Sequence, residues 1–97
     1  MAMQQYVLDC PGRNLMTVTV TDYVITTLHW DNEFIVAPRA INIVDKNHEA
    51  LSVYLFVNQD VLTINCSQNL YRFAYRSQRV VTCHKVRDIS VRVWNKT

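Results

Sequence analysis

The stretch Met16-Thr17-Val18-Thr19-Val20-Thr21 decides the fold. Apolar and hydroxylated side chains alternate along it, and neighbouring residues of an extended strand point to opposite faces, so one face is apolar and the other wears threonine. The pattern runs on across 15–30. There the even positions Met16, Val18, Val20, Val24, Leu28 and Trp30 are apolar, while Thr17, Thr19, Thr21, Thr27 and His29 share the other side. Asp22 interrupts the apolar row, and the run is far longer than the usual strand of roughly five or six residues, so a bulge or turn near Thr21-Asp22-Tyr23 is expected to split it.

Working outward, the same period recurs from end to end. Tyr6 to Asp9 reads as a short first strand closed by Cys10-Pro11-Gly12, where proline and glycine make a turn. Asp31-Asn32-Glu33 is a turn signal, Phe34 to Ala37 a strand stopped by Pro38, and Ala40 to Asp45 resumes β character before the polar loop Asp45-Lys46-Asn47-His48-Glu49. In 51–57, Leu51, Val53, Leu55 and Val57 fall on one side and Tyr54 and Phe56 on the other, which predicts a central strand with neither face in water. Val61 to Cys66, Leu70 to Arg76, Arg79 to Arg87 and Asp88 to Trp94 complete the set. The chain of 97 residues contains 14 Val, 6 Ile and 8 Thr, and β-branched side chains of this kind suit a pleated surface. A single glycine, Gly12, leaves the turns to Asn, Asp and longer loops. The expected fold is all-β: one domain over 1–97, a β-sandwich or small closed barrel of about eight short, mostly antiparallel strands.

With 49% hydrophobic and 19% charged residues the chain has the composition of a folded protein, which excludes disordered and fibrous classes. No run approaches the roughly 20 apolar residues of a membrane helix, and the N-terminus lacks a basic segment followed by an apolar run. Three cysteines, Cys10, Cys66 and Cys83, cannot all pair within one chain, so free buried thiols and an intracellular location, cytoplasmic rather than nuclear, are expected.

Charge is divided unevenly. Residues 1–71 carry Arg13, Arg39 and Lys46 against seven acids, whereas 72–97 carry seven basic residues against Asp88 alone, so −4 and +6 make up the net +2. Arg72, Arg76, Arg79, Lys85, Arg87 and Arg92 are therefore candidates for a partner-binding basic patch, for acidic protein or for the phosphates of nucleic acid along the C-terminal strands 72–96. In 71–76, alternation places Tyr71, Phe73 and Tyr75 opposite Arg72 and Arg76, which weakens a single-strand binder, where rings and cations share one surface.

No chemistry-bearing motif stands out. Cys83 and His84 are neighbours on a strand and point apart; no Cys-x-x-Cys pair exists; and one glycine cannot build a nucleophile elbow. Asp45, His48 and Glu49 form an acid and base cluster within one polar loop, which reads as a solvated turn. The sequence thus predicts a non-enzymatic module, without cofactor, metal or small-molecule substrate, that binds a protein partner and self-associates. Its apolar interface candidates are Tyr54, Phe56, Tyr71, Tyr75 and Trp94, because strands with large apolar groups on both faces exceed what a small interior can cover. A second route is sheet extension from the long, uncharged 15–30 segment.

Overall fold

A computed structural model describes residues 3–21, 25–76 and 79–89. Among these residues nine strands follow one another: β1 Met3–Asp9, β2 Met16–Thr21, β3 Thr26–Trp30, β4 Glu33–Ala37, β5 Arg39–Val44, β6 Ala50–Leu55, β7 Val61–Asn65, β8 Leu70–Ala74 and β9 Val80–Ile89. They form one sheet in the order β4-β3-β2-β1-β9-β8-β7-β6-β5, antiparallel at every pairing. Two four-stranded meanders thus flank β9. The long 15–30 run is split where expected, with β2 and β3 paired Val18 to Leu28 and Thr21 N–H bonded to the Ile25 carbonyl.

β9 joins the halves by changing neighbours. Its first residues pair with β8, from Ala74↔Val80 to Tyr71↔Cys83, and its later ones with β1, from Asp9↔His84 to Gln5↔Ile89. A register shift between Val7 and Leu8 accommodates the turn of direction, as bulges do at the corners of folded-over sheets. At the other side only Pro38 separates β4 from β5, so the two ends of the strand order are neighbours in the chain. Val57 N–H donates to the Val36 carbonyl at 3.0 Å, and the sheet nearly closes into a barrel.

The interior holds the rows that alternation selects: Tyr6 and Leu8; Met16 and Val18; Leu28; Ala37; Leu62 and Ile64; Tyr71 and Phe73; with Phe56 beyond the end of β6. Turn chemistry explains how one glycine suffices. Besides Gly12 at φ 92°, Asp31, His48, Gln59 and Asn69 all take positive φ, so four side-chain-bearing residues occupy positions where glycine is usual.

Four expectations change. Arg79–Arg87 and Asp88–Trp94 are not separate strands, because β9 continues through Arg87 and Asp88, whose backbones pair with Val7 and Tyr6; residues 90–97 lie outside the described part. The 51–57 strand is not central. It lies next to the edge strand β5, and Leu55 and Val57 are exposed because nothing among the described residues packs over that face. The 15–30 segment offers no edge, since β2 and β3 have strands on both sides. Finally, the thiols are not all free. Antiparallel pairing of Asp9 with His84 sets Cys10 opposite Cys83, their Cα atoms 4.4 Å apart, and they form a disulfide; Cys66 remains free and exposed. An odd count excludes three paired cysteines but not one bond, so the thiol count no longer argues for a reducing compartment.

Candidate protein interaction surface

Strand periodicity gives each half of the sheet an inner and an outer row, and the two outer rows differ. On β2 and β3 the outward residues are Thr17, Thr19, Thr21, Thr27 and His29, an ordinary wetted face. On the second meander the outward registers are Arg39↔Leu55, Ile41↔Val53 and Ile43↔Leu51, continued on β7 by Val53↔Thr63 and Leu55↔Val61. Aliphatic side chains thus stand where water-facing polar ones are normal. Leu55 is 40%, Ile41 41% and Ile43 44% exposed, while Leu51, Val53 and Val61 are partly covered by these neighbours. The face is bounded at one end by Asp45, Glu49 and Arg72, which line a shallow pocket of about 260 Å³ with Leu51, Thr63 and Asn65.

The loop that turns β5 into β6 is held by its own polar groups. Asp45 Oδ1 accepts from the backbone N–H of Asn47 and of Glu49, each at 2.9 Å, and Glu49 accepts from Asn65 Nδ2 at 2.8 Å and Gln68 Nε2 at 2.6 Å. Asp45 and Glu49 therefore serve the turn, and His48 occupies its left-handed position at φ 64°.

At the opposite end of the second meander lies a hub that periodicity does not reveal. Arg13, just after the Pro11-Gly12 turn, bonds through a guanidinium nitrogen to Asp60 Oδ2 at 3.1 Å. Its guanidinium carbon lies 4.0 Å from the Trp30 ring centroid, 4.7 Å from that of Tyr75 and 5.4 Å from that of Phe73. Asp60 is 1% exposed, and its other bonds come from Asn58 Nδ2 at 2.9 Å and Arg76 N–H at 2.8 Å. Tyr75 donates its hydroxyl proton to the Pro11 carbonyl at 2.7 Å; burial raises its phenol, while the Arg13 and Arg79 charges beside it act in the opposite sense. Gly12, Arg13, Asn58, Asp60, Tyr75, Arg76 and Arg79 together enclose an open groove of about 510 Å³.

The anticipated basic patch is dispersed by this geometry. Arg76 and Arg79 share the groove with Arg13, whereas Arg72 lies on the outer face beside Asp45 and Glu49. Lys85 bonds to Asp88 at 3.0 Å, which raises its pKa, and sits 5.9 Å from the Tyr6 ring; Arg87 pairs with Val7, and Arg92 lies outside the described residues. Of the aromatic candidates, Phe56 and Tyr71 are in the core and so not at the surface, Tyr54 and Tyr75 pack partly buried against it, and Trp94 lies outside the described residues. The exposed apolar groups are mostly aliphatic, with Phe34 on β4 the aromatic exception. Alternation in 51–57 sets Leu51, Val53 and Leu55 on one side but predicts both faces covered, and the contribution of Ile41 and Ile43 depends on pairing between β5 and β6. Comparison with protein-family models, curated proteins and solved structures finds no match.

Proposed function

We propose that this chain is a non-enzymatic protein-interaction module that associates with copies of itself, its contact surface being the outer face of β5, β6 and β7. One observation carries the reading: Ile41, Ile43, Leu51, Val53, Leu55 and Val61 occupy outward positions on three adjacent strands. Apolar surface gains about 25 cal/mol per Å² on leaving water, and the same fold dresses the outer rows of β2 and β3 in threonine. A chain under no demand to bury this face would gain solubility from the same polar choice here.

Light scattering on the full chain over a concentration series up to about 100 μM tests the proposal, since weak self-association falls in the micromolar range. The mass should rise toward a multiple of the chain mass, and Ile43→Lys or Leu55→Lys should shift the transition to higher concentration. An invariant monomer mass overturns self-association. A second reading, phosphate binding as in nucleic acid, is favoured by the convergence of Arg13, Arg76 and Arg79 on one groove.

A further inference from the structure

We infer that the second copy adds to the free edge of β5, antiparallel and twofold symmetric, with Asn42 facing Asn42 of the second copy. The inference rests on the self-association proposed above but sets the contact at the strand edge, where Ile41 and Ile43 of the outer face meet those of the second copy. Among the described residues β5 ends the strand order, with β6 as its single neighbour. The bond from Asp45 N–H to the Glu49 carbonyl at 3.0 Å, read with the register Ile43↔Leu51 and Ile41↔Val53, makes the odd residues of β5 the ones that bond to β6. On the other side of β6, the bond from Phe56 N–H to the Asp60 carbonyl assigns its even residues to β7, in agreement. Ala40, Asn42 and Val44 therefore turn their N–H and C=O groups to the open edge.

That edge lacks the usual protection. Apart from Arg39 at its start it has no charged residue, no internal proline and no bulge, and Ile41, Ile43 and Val44 are exposed along it. The other end of the order, β4, is already engaged where the Val36 carbonyl accepts from Val57.

Register follows from chemistry. With the axis through Asn42, Ala40 faces Val44 of the second copy and every outward backbone group of these three residues is paired. Ile41 then lies opposite Ile43 of the second copy, and Arg39 opposite its Asp45, on the same outer face. Arg39 is exposed and in no ion pair among the described residues, while Asp45 spends Oδ1 on its turn and keeps Oδ2. Moving the axis to Ile41 sets Val44 against Pro38, which has no N–H, and moving it to Ile43 sets Arg39 against Asn47 in the turn. Only the Asn42 axis pairs both charge and backbone.

Three variants of the full chain read this out. Asn42→Cys, in a Cys66→Ser background, places two cysteines across the axis at the roughly 5.5 Å Cα separation of a bonded pair, so mild oxidation should yield a covalent dimer. Asn42→Pro removes an edge donor without touching the β6 ladder, and Arg39→Glu sets like charges opposite; each should raise the dimer dissociation constant at least about tenfold. If the wild type dimerises while Asn42→Cys fails to cross-link and Arg39→Glu leaves the dimer unchanged, this register is wrong and self-association uses another surface. If the wild type stays monomeric, the register and the reading beneath it both fall.

Discussion

Arg13 and Asp60, 47 positions apart in the chain, meet at 3.1 Å, the carboxylate buried and the guanidinium stacked on Trp30. The pair ties the turn after β1 to the turn before β7, and so fastens the first meander to the second at the end away from the β5–β6 loop. Three donors satisfy Asp60, so its burial is compensated.

Removing one partner is costly because it strands the other. Arg13→Ala should destabilise the fold by about 3 kcal/mol, through the uncompensated carboxylate and the uncovered rings, measured by urea denaturation. Arg13→Lys should recover only part of this, since a compact ammonium lacks the planar fork that stacks and bonds at once. Equal stability of wild type and Arg13→Ala would show that the ion pair is dispensable.

The Cys10–Cys83 bond closes a loop with a sequence separation of 73. Chain-entropy reasoning gives about 4 kcal/mol for a loop of that size, so the Cys10→Ala/Cys83→Ala variant should lose stability of that order. Alkylation of the denatured, unreduced protein should modify Cys66 alone. Three modified thiols would contradict the bond.

Tyr6 is buried in the core with its hydroxyl unpartnered among the described residues, and burial, with Tyr54 and Tyr71 beside it, pushes its phenol well above the ordinary range. A raised phenol is stabilising only while the unfolded chain also keeps its proton. Stability from this group is therefore complete below pH about 10, where unfolded tyrosine ionises, and falls as pH rises above that value. Tyr6→Phe should raise stability at pH 7 by about 1 kcal/mol, by deleting the unbonded hydroxyl, and should flatten the alkaline decline. Thermal melts between pH 7 and 11 compare the two; a steeper decline in the variant would refute the assignment.

Gln59 holds φ 78° in the turn between β6 and β7, in the left-handed region disfavoured for such a side chain, and its own side chain is exposed. Gln59→Gly should stabilise by roughly 0.5 to 1 kcal/mol, relief of backbone strain outweighing the added freedom of the unfolded glycine. The expected rise in Tm is about 2 to 8 °C for a chain this size.

The arginine groove predicts salt-sensitive retention on heparin. Arg76→Ala/Arg79→Ala should weaken it markedly and Arg72→Ala little, because Arg72 lies beside Asp45 and Glu49 instead. Equal effects of all three would point to diffuse surface charge.

Much of this architecture was legible one residue at a time. Met16, Val18 and Leu28 announce their inward row and Pro38 its break, and Leu51, Val53 and Leu55 fall on one side of their strand, although the expected interface lay on Tyr54 and Phe56 opposite them, because spacing of two gives sidedness but not which side is covered. The hub was not legible: Arg13 reads as a lone cation after a turn and Asp60 as a loop acid. Their union depends on two turns from different meanders arriving side by side, which no local period encodes.

The sequence by itself determined the all-β class, most strand positions and which side of each strand is apolar, since these follow from side-chain alternation and backbone preference within a few residues. Tertiary structure alone decided that β9 changes neighbours midway, that Cys10 meets Cys83, that Phe56 and Tyr71 fall inside while Ile41 and Ile43 stay outside, and that β5 rather than the 15–30 segment forms an edge. Paired strands are consecutive in the chain everywhere but at β1–β9. The β1–β9 pairing and the disulfide bring together residues far apart in the chain, and the β5–β6 hairpin brings together residues close in it, whereas alternation records only the two faces of a strand and nothing of which strand lies beside it.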